Sequence, residues 1–241
     1  MVLAGVDLAW QSEKNPSAIA TGKIENNVLT VDKIEPAVYG IDSVLGLLKE
    51  IDGLMGISID APLIINNTSG QRKCETEIGR TYGSRGASCH TSNTKLYPDA
   101  KSVFLSTEML AAGFNHLQGE RWQIECYPHP AIIEIFGLNE RLKYKKGKVA
   151  DKRAGQKILA SLLRKLSRSN VLRLTISDDL DRILDESNID SLRGQALKSN
   201  EDALDSVVCL YIAGLYATEH GGKVFGDSSS GYVWVPQGMC I

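Results

Sequence analysis

Five carboxylates sit where the surrounding sequence is apolar. They are Asp7 in GVDLAW, Asp60 in ISIDAPL, Glu125 in QIECYP, and Asp202 and Asp205 in EDALDSVV. An ionised carboxylate is costly to bury without a partner. Each has a structural explanation when taken alone: Asp202 as a helix-start acid favoured by the macrodipole, Asp60 as the cap of a turn, Glu125 as the partner of Arg121 or a lysine. Together they place like charges in several buried elements. Carboxylates packed that way repel unless they are protonated or bridged by cations. An all-oxygen donor set points to Mg²⁺ or Mn²⁺ rather than to zinc.

The elements that must position these acids can be read from hydrophobic periodicity. Residues 2–9 read as a first strand in which Gly5, Asp7 and Ala9 share a face, leaving room for something to approach. Residues 17–24 and 28–35 read as a hairpin turned at Glu25-Asn26-Asn27. Apolar residues at helical spacing predict a helix over 41–51, and 53–63 reads as a buried strand stopped by Pro62. Residues 66–100 are polar and rich in Gly, Ser and Thr, a long insertion with a short helix near 73–79. A helix over 102–113 and a strand over 121–128 follow, so Asp60 and Glu125 both precede a proline-marked exit from a strand. Open α/β sheets bind ligands at that end.

Beyond 130 the pattern is mainly helical: PAIIEIF, a basic amphipathic stretch over 152–166, a Ser/Asp-capped segment over 177–186, and a long helix over 201–220. The last is apolar nearly all round beyond Ser206, as expected of a helix buried against a sheet. Asp202 and Asp205, three apart, fall on one side of it. GYVWVP, 231–236, reads as a late strand. A leading hairpin with later strands reached through helices predicts an α/β fold, a mixed sheet with helices on both faces. The expected organisation is a single domain over 1–241, with the polar insertion near 66–100 and a basic helical segment near 141–190.

Charge is unevenly spread. Between 141 and 173 stand twelve Lys or Arg and one acid, Asp151, although the formal net charge of the chain is only −2. Such a block suits a polyanion, or forms a solvated helix face. Five scattered cysteines make a disulfide framework unlikely to be the organising principle. With no apolar run near the roughly 20 residues of a membrane span and no secretory pattern in MVLAGVDLAW, the expected setting is the reducing cytoplasm.

GVDLAW, SIDAPL, IECYPHP and EDALDSVV, in that order, resemble a largely uncharacterised family of predicted nucleases with an RNase H-like fold. The paired acids of EDALDSVV also resemble the closing helix of RuvC-type junction resolvases. In that superfamily an acid on the first strand, one at the end of the fourth and one or two on the last helix bind two divalent metals. By position, the resemblance assigns Asp7, Asp60, Asp202 and Asp205 to metal, Mg²⁺ or Mn²⁺. Asp7, Asp60, Glu125 and Asp205 would carry catalysis, a phosphodiester hydrolysis with Asp7 bridging the ions. Junction-type relatives are often dimers, so a homodimer is a further expectation.

Arg85, Lys145, Lys146, Lys152 and Arg153 are the expected contacts to nucleic-acid phosphates, with Arg72, Lys73 and Arg80 in the same role. Trp10, Tyr82 and Tyr97 are candidates for base stacking. His129, in YPHP, is a candidate for proton transfer, or else a structural turn residue. The expected partner is nucleic acid, DNA or RNA.

Three other readings compete with this one. Sugar kinases and actin-like ATPases share an Asp on the first strand, but Leu8-Ala9-Trp10 offers no phosphate turn and GDSSSG, 226–231, reads as a simple turn. A zinc site drawn from Cys74, Cys89, His90, Cys126 and His129 lacks a second compact ligand pair. A non-catalytic nucleic-acid-binding protein would have little reason to keep so much buried negative charge.

Overall fold

The computed structural model describes residues 1–11 and 14–241. Alternation in β1 (Val2–Asp7) sends Leu3 into one apolar layer and Ala4 and Val6 into the other. β2 (Ser17–Glu25) and β3 (Val28–Val38) form the expected hairpin, turned by Asn26 and Asn27 at φ 50° and 60°. α1 (Ile41–Glu50) crosses to β4 (Leu54–Asp60), which pairs parallel to β1. The polar insertion contains α2 (Lys73–Tyr82), longer than expected, and α3 (Lys101–Ala111) follows it.

Next come β5 (Asn115–His116), β6 (Trp122–Glu125) and α4 (Pro128–Phe136). Pro128 and Pro130 occupy the first turn of α4, where a missing N–H costs nothing. α5 (Val149–Lys165) carries the basic stretch. The region 141–190, expected as a basic helical segment, also contains β7 (Arg173–Ile176), which extends the sheet parallel to β3. The Ser/Asp-rich stretch at 177–186 is a turn and a 3₁₀ segment; the helix there is α6 (Glu186–Ser191), capped by the Asp185 side chain. α7 (Gly194–Ala217) starts seven residues before the apolar pattern begins, because GQALKSN is too polar to show it.

The result is an α/β protein with a seven-stranded mixed sheet in the order β5-β6-β4-β1-β2-β3-β7, compatible with an RNase H-like arrangement. α7 lies across one face with α4 and α5, and α1 and α3 cover the other. β8 (Gly222–Asp227) and β9 (Gly231–Pro236) form a separate hairpin packed on α2 through Ile78, Tyr82, Phe225 and Val233. GDSSSG is the turn of that hairpin, where Asp227 accepts from the backbone of Ser229 and Ser230. No helix among the described residues is long and apolar enough to cross a membrane, and all five cysteines are free.

Two glycines set the geometry that matters. A Cβ on Gly5 would overlap the Leu210 amide and the Ser206 carbonyl, so only glycine lets α7 lie this close to β1. The room left on the Asp7 face is filled by α7 itself. A Cβ on Gly155 would overlap the Lys143 carbonyl and the Tyr144 backbone, so Gly155 lets the 143–144 chain rest on α5.

Candidate carboxylate site

Asp7 and Asp60 end their strands side by side: they are register partners in the parallel β1–β4 pair and share the face covered by α7. α7 crosses above them and brings Asp205, fully buried, and Asp202, 4% exposed. The Asp7 carboxyl lies beside that of Asp202 and favours its ionised form. Asp7 and Asp60 keep partial exposure at the strand ends. Four of the five acids expected to gather do so.

Their crowding is visible in their acidities. Burial raises Asp7 well above the usual carboxylate range; Lys145 opposes the rise, while Asp205, Asp60 and Asp202 add to it. Burial pushes Asp60 up to about 7 against the pull of Lys145, with Asp205 and Glu125 adding repulsion. Asp202 is also raised by burial, despite Lys198. Ionising all these groups together is unfavourable without added positive charge.

Two lysines supply part of that charge. Lys145 Nζ lies 2.6 Å from Asp205 Oδ2, and Tyr144 donates to Asp205 Oδ1 at 2.6 Å. Asp205 Oδ2 nevertheless has no hydrogen bond of acceptable geometry, so its contact with the ammonium is an ion contact. Burial works against the charge of Lys145, but Asp205, Tyr144, Asp7 and Asp60 together hold its pKa well above normal. Lys198, one turn before Asp202, donates to Asp202 at 2.6 Å and to Glu201 at 2.8 Å. Lys198, Glu201 and Tyr144 were missed in the sequence; the i, i+4 spacing of Lys198 and Asp202 was the readable signal for the first.

Glu125 does not join the cluster. In the β4–β6 pair it is the register partner of Ile59, not of Asp60, so it points to the opposite face of the sheet. There Arg72 grips it with two nitrogens, at 2.6 and 2.9 Å, and the Leu63 amide donates to it at 2.9 Å. Arg72 also contacts Glu75 at 2.8 Å and is only 4% exposed. The pair is a buried structural lock, and neither the catalytic role expected of Glu125 nor the phosphate role expected of Arg72 fits this placement.

Two further expected phosphate contacts are likewise engaged. Arg85 binds Glu134 at 3.2 Å and the carbonyls of Leu138 and Asn139. Arg153 donates to the Leu192 carbonyl. Lys146 is exposed and Lys152 partly so, leaving both open to solvent.

His129 sits edge-on between Tyr127 and Tyr144, at 5.7 and 5.6 Å. Burial and the nearby Lys145 lower its pKa to about 4, so it is neutral at pH 7, and its buried Nδ1 has no partner. Of the stacking candidates, Tyr82 is buried against Phe225, whereas Trp10 and Tyr97, both half-buried, form an edge pair at 4.6 Å. Trp10 and Tyr127 flank a cavity of about 100 Å³ beside Asp60, with Cys89 and His90 on its wall.

Among the described residues, no three His, Cys, Asp or Glu side chains converge in metal-ligand geometry as they stand. The donors fit a hard divalent cation in their chemistry: all are carboxylate oxygens, they repel one another, and Asp205 Oδ2 is buried without a hydrogen bond. The misfit is Lys145, whose ammonium already contacts that oxygen.

These features define a protein with a mixed α/β sheet and a carboxylate cluster at the ends of two adjacent parallel strands. Over residues 5–229 the chain matches the family described as "Protein of unknown function (DUF429)", and it belongs to that family. No curated protein and no solved structure matches it.

Proposed function

We propose that this protein is a divalent-metal-dependent nuclease of RNase H-like type, hydrolysing phosphodiester bonds in nucleic acid. The observation that carries the reading is the Asp7–Asp60 register pair faced by Asp202 and Asp205 of α7. These four side chains would hold the metal, Mg²⁺ or Mn²⁺. When bound, the cations supply the positive charge that activates water and stabilises the leaving oxygen of an in-line displacement.

The chain's own groups do the rest. Tyr144 fixes the rotamer of Asp205, and Lys198 fixes that of Asp202. A groove of about 740 Å³ runs beside the segment that carries Lys145; Arg141, Lys143 and Lys146 on its wall outnumber Glu140 and Asp151, and this cationic excess suits a phosphate backbone. Glu125 and Arg72 hold the strand end in place from the other face.

The contact of Lys145 with Asp205 favours one rival, a non-catalytic nucleic-acid-binding protein in which ammonium groups balance the acids. The test is cleavage of single-stranded, duplex, hybrid and branched substrates by the wild type with Mg²⁺, Mn²⁺ or EDTA. The nuclease reading expects cleavage of at least one substrate with metal and none in EDTA. Binding without cleavage of any substrate would favour the rival.

A further inference from the structure

We infer that Lys145 is a built-in counter-cation that competes with divalent metal for Asp205 and gives way when metal binds. The inference rests on the metal-dependent reading proposed above. Asp205 is wholly buried on the central helix, and one of its oxygens is fixed by the Tyr144 hydroxyl at 2.6 Å. The other, Oδ2, faces the ammonium of Lys145 at 2.6 Å without a hydrogen bond of good geometry. An ammonium this close to a carboxylate opposes a divalent cation on the same group, because the two positive charges repel across a few ångströms of low-dielectric interior.

The two lysines of the site differ in how they are held. Lys198 is anchored by two carboxylates of its own helix, Glu201 and Asp202. Lys145 comes instead from the irregular chain between α4 and α5, is 26% exposed along its side chain, and has one short carboxylate contact. The backbone before it is seated on Gly155, whereas Lys146 to Lys148 after it are exposed around Gly147, whose φ is 115°. A lysine stem of four methylenes can therefore carry the ammonium outward, to the side on which Lys146 is exposed, with Tyr144 left in place. There it would meet the substrate phosphate as a mobile point charge.

A competing internal cation weakens metal binding when no substrate is present. Substrate that draws the ammonium away strengthens it, and linkage makes the effect reciprocal. The direct measurement is Mn²⁺ affinity, read by electron paramagnetic resonance on folded wild type, Lys145→Met and Lys145→Arg, without substrate. Lys145→Met is expected to bind Mn²⁺ about tenfold more tightly than wild type, within the usual range of such couplings. Lys145→Arg, which keeps the charge, is expected to stay weak. Thermal melts of the three proteins confirm that each is folded.

Equal or weaker Mn²⁺ binding by folded Lys145→Met, with wild type binding normally, would overturn the competition and leave the metal reading intact. If neither wild type nor Lys145→Met binds Mn²⁺ at millimolar concentration, the metal reading falls and the competition falls with it.

Discussion

Replacing Asp60 by Asn should stabilise this protein, and should do so more as the pH rises. Asp60 is held at about 7 against an ordinary value of 3.8, chiefly by burial and also by Asp205 and Glu125, with Lys145 opposing. A carboxyl raised in this way favours its protonated form in the fold. Its contribution to stability is complete below pH 3.8 and is lost as the pH rises through about 7. A shift of about three units at 1.36 kcal/mol each sets a ceiling of ~4 kcal/mol for the cost of the ionised group. Near pH 5 only about 2 kcal/mol of that cost has appeared, because the cost grows with each unit of pH above 3.8 and is complete only beyond about 7. Asn has a similar shape and no charge to lose.

The Asp60→Asn variant should therefore gain on wild type by about 2 kcal/mol between pH 5 and pH 8. At 2–4 °C per kcal/mol for a chain of this size, the gap in Tm should widen by roughly 4–8 °C. The assay is thermal denaturation followed by circular dichroism in EDTA at both pH values. A variant less stable than wild type at pH 8, or a gap that does not change with pH, would refute the electrostatic reasoning.

Two further substitutions separate the structural from the chemical parts of the site. Gly5→Ala should destabilise the fold by several kcal/mol, since the new methyl would strike the backbone of α7 at Ser206 and Leu210; urea denaturation with a near-wild-type midpoint would contradict this packing. Glu125→Gln breaks the buried grip of Arg72 and should cost about 3–5 kcal/mol, yet leave the stabilisation by Mg²⁺ unchanged once the variant is folded. Loss of the Mg²⁺ response in folded Glu125→Gln would instead place Glu125 in the metal site.

Much of this arrangement was legible in the sequence because it depends on local periodicity. Alternation in GVDLAW and ISIDAPL located both strands and their acids, and the i, i+3 spacing of Asp202 and Asp205 located the helix side that meets them. What stayed hidden depends on pairing between distant segments. Glu125 precedes a proline much as Asp60 does, but whether two such acids share a face is set by the β4–β6 register, and a shift of one residue reverses it. Arg72 lay in a polar stretch that resembles a solvated loop until Glu75 and Glu125 close on it. β7 was obscured because RLTI is only four residues long and sits at the end of a basic helical run. Lys145 was grouped with its basic neighbours as a phosphate contact, since nothing local distinguishes a lysine that turns inward. The long polar insertion hid only the full length of α2, expected over 73–79, as its buried face of Cys74, Ile78 and Tyr82 is short and meets a hairpin from the far end of the chain.

The central claim is that Asp7 and its neighbours form a metal-dependent phosphodiesterase centre. The most direct measurement compares wild type and Asp7→Asn for cleavage of the same panel of nucleic-acid substrates in Mn²⁺. The Asn variant keeps the shape of β1 and its packing against α7, and it removes one carboxylate from the cluster. The account predicts metal-dependent cleavage by wild type that falls by two orders of magnitude or more in folded Asp7→Asn, as expected when a group acting on the reacting atoms is lost. Equal cleavage by the two proteins would contradict it.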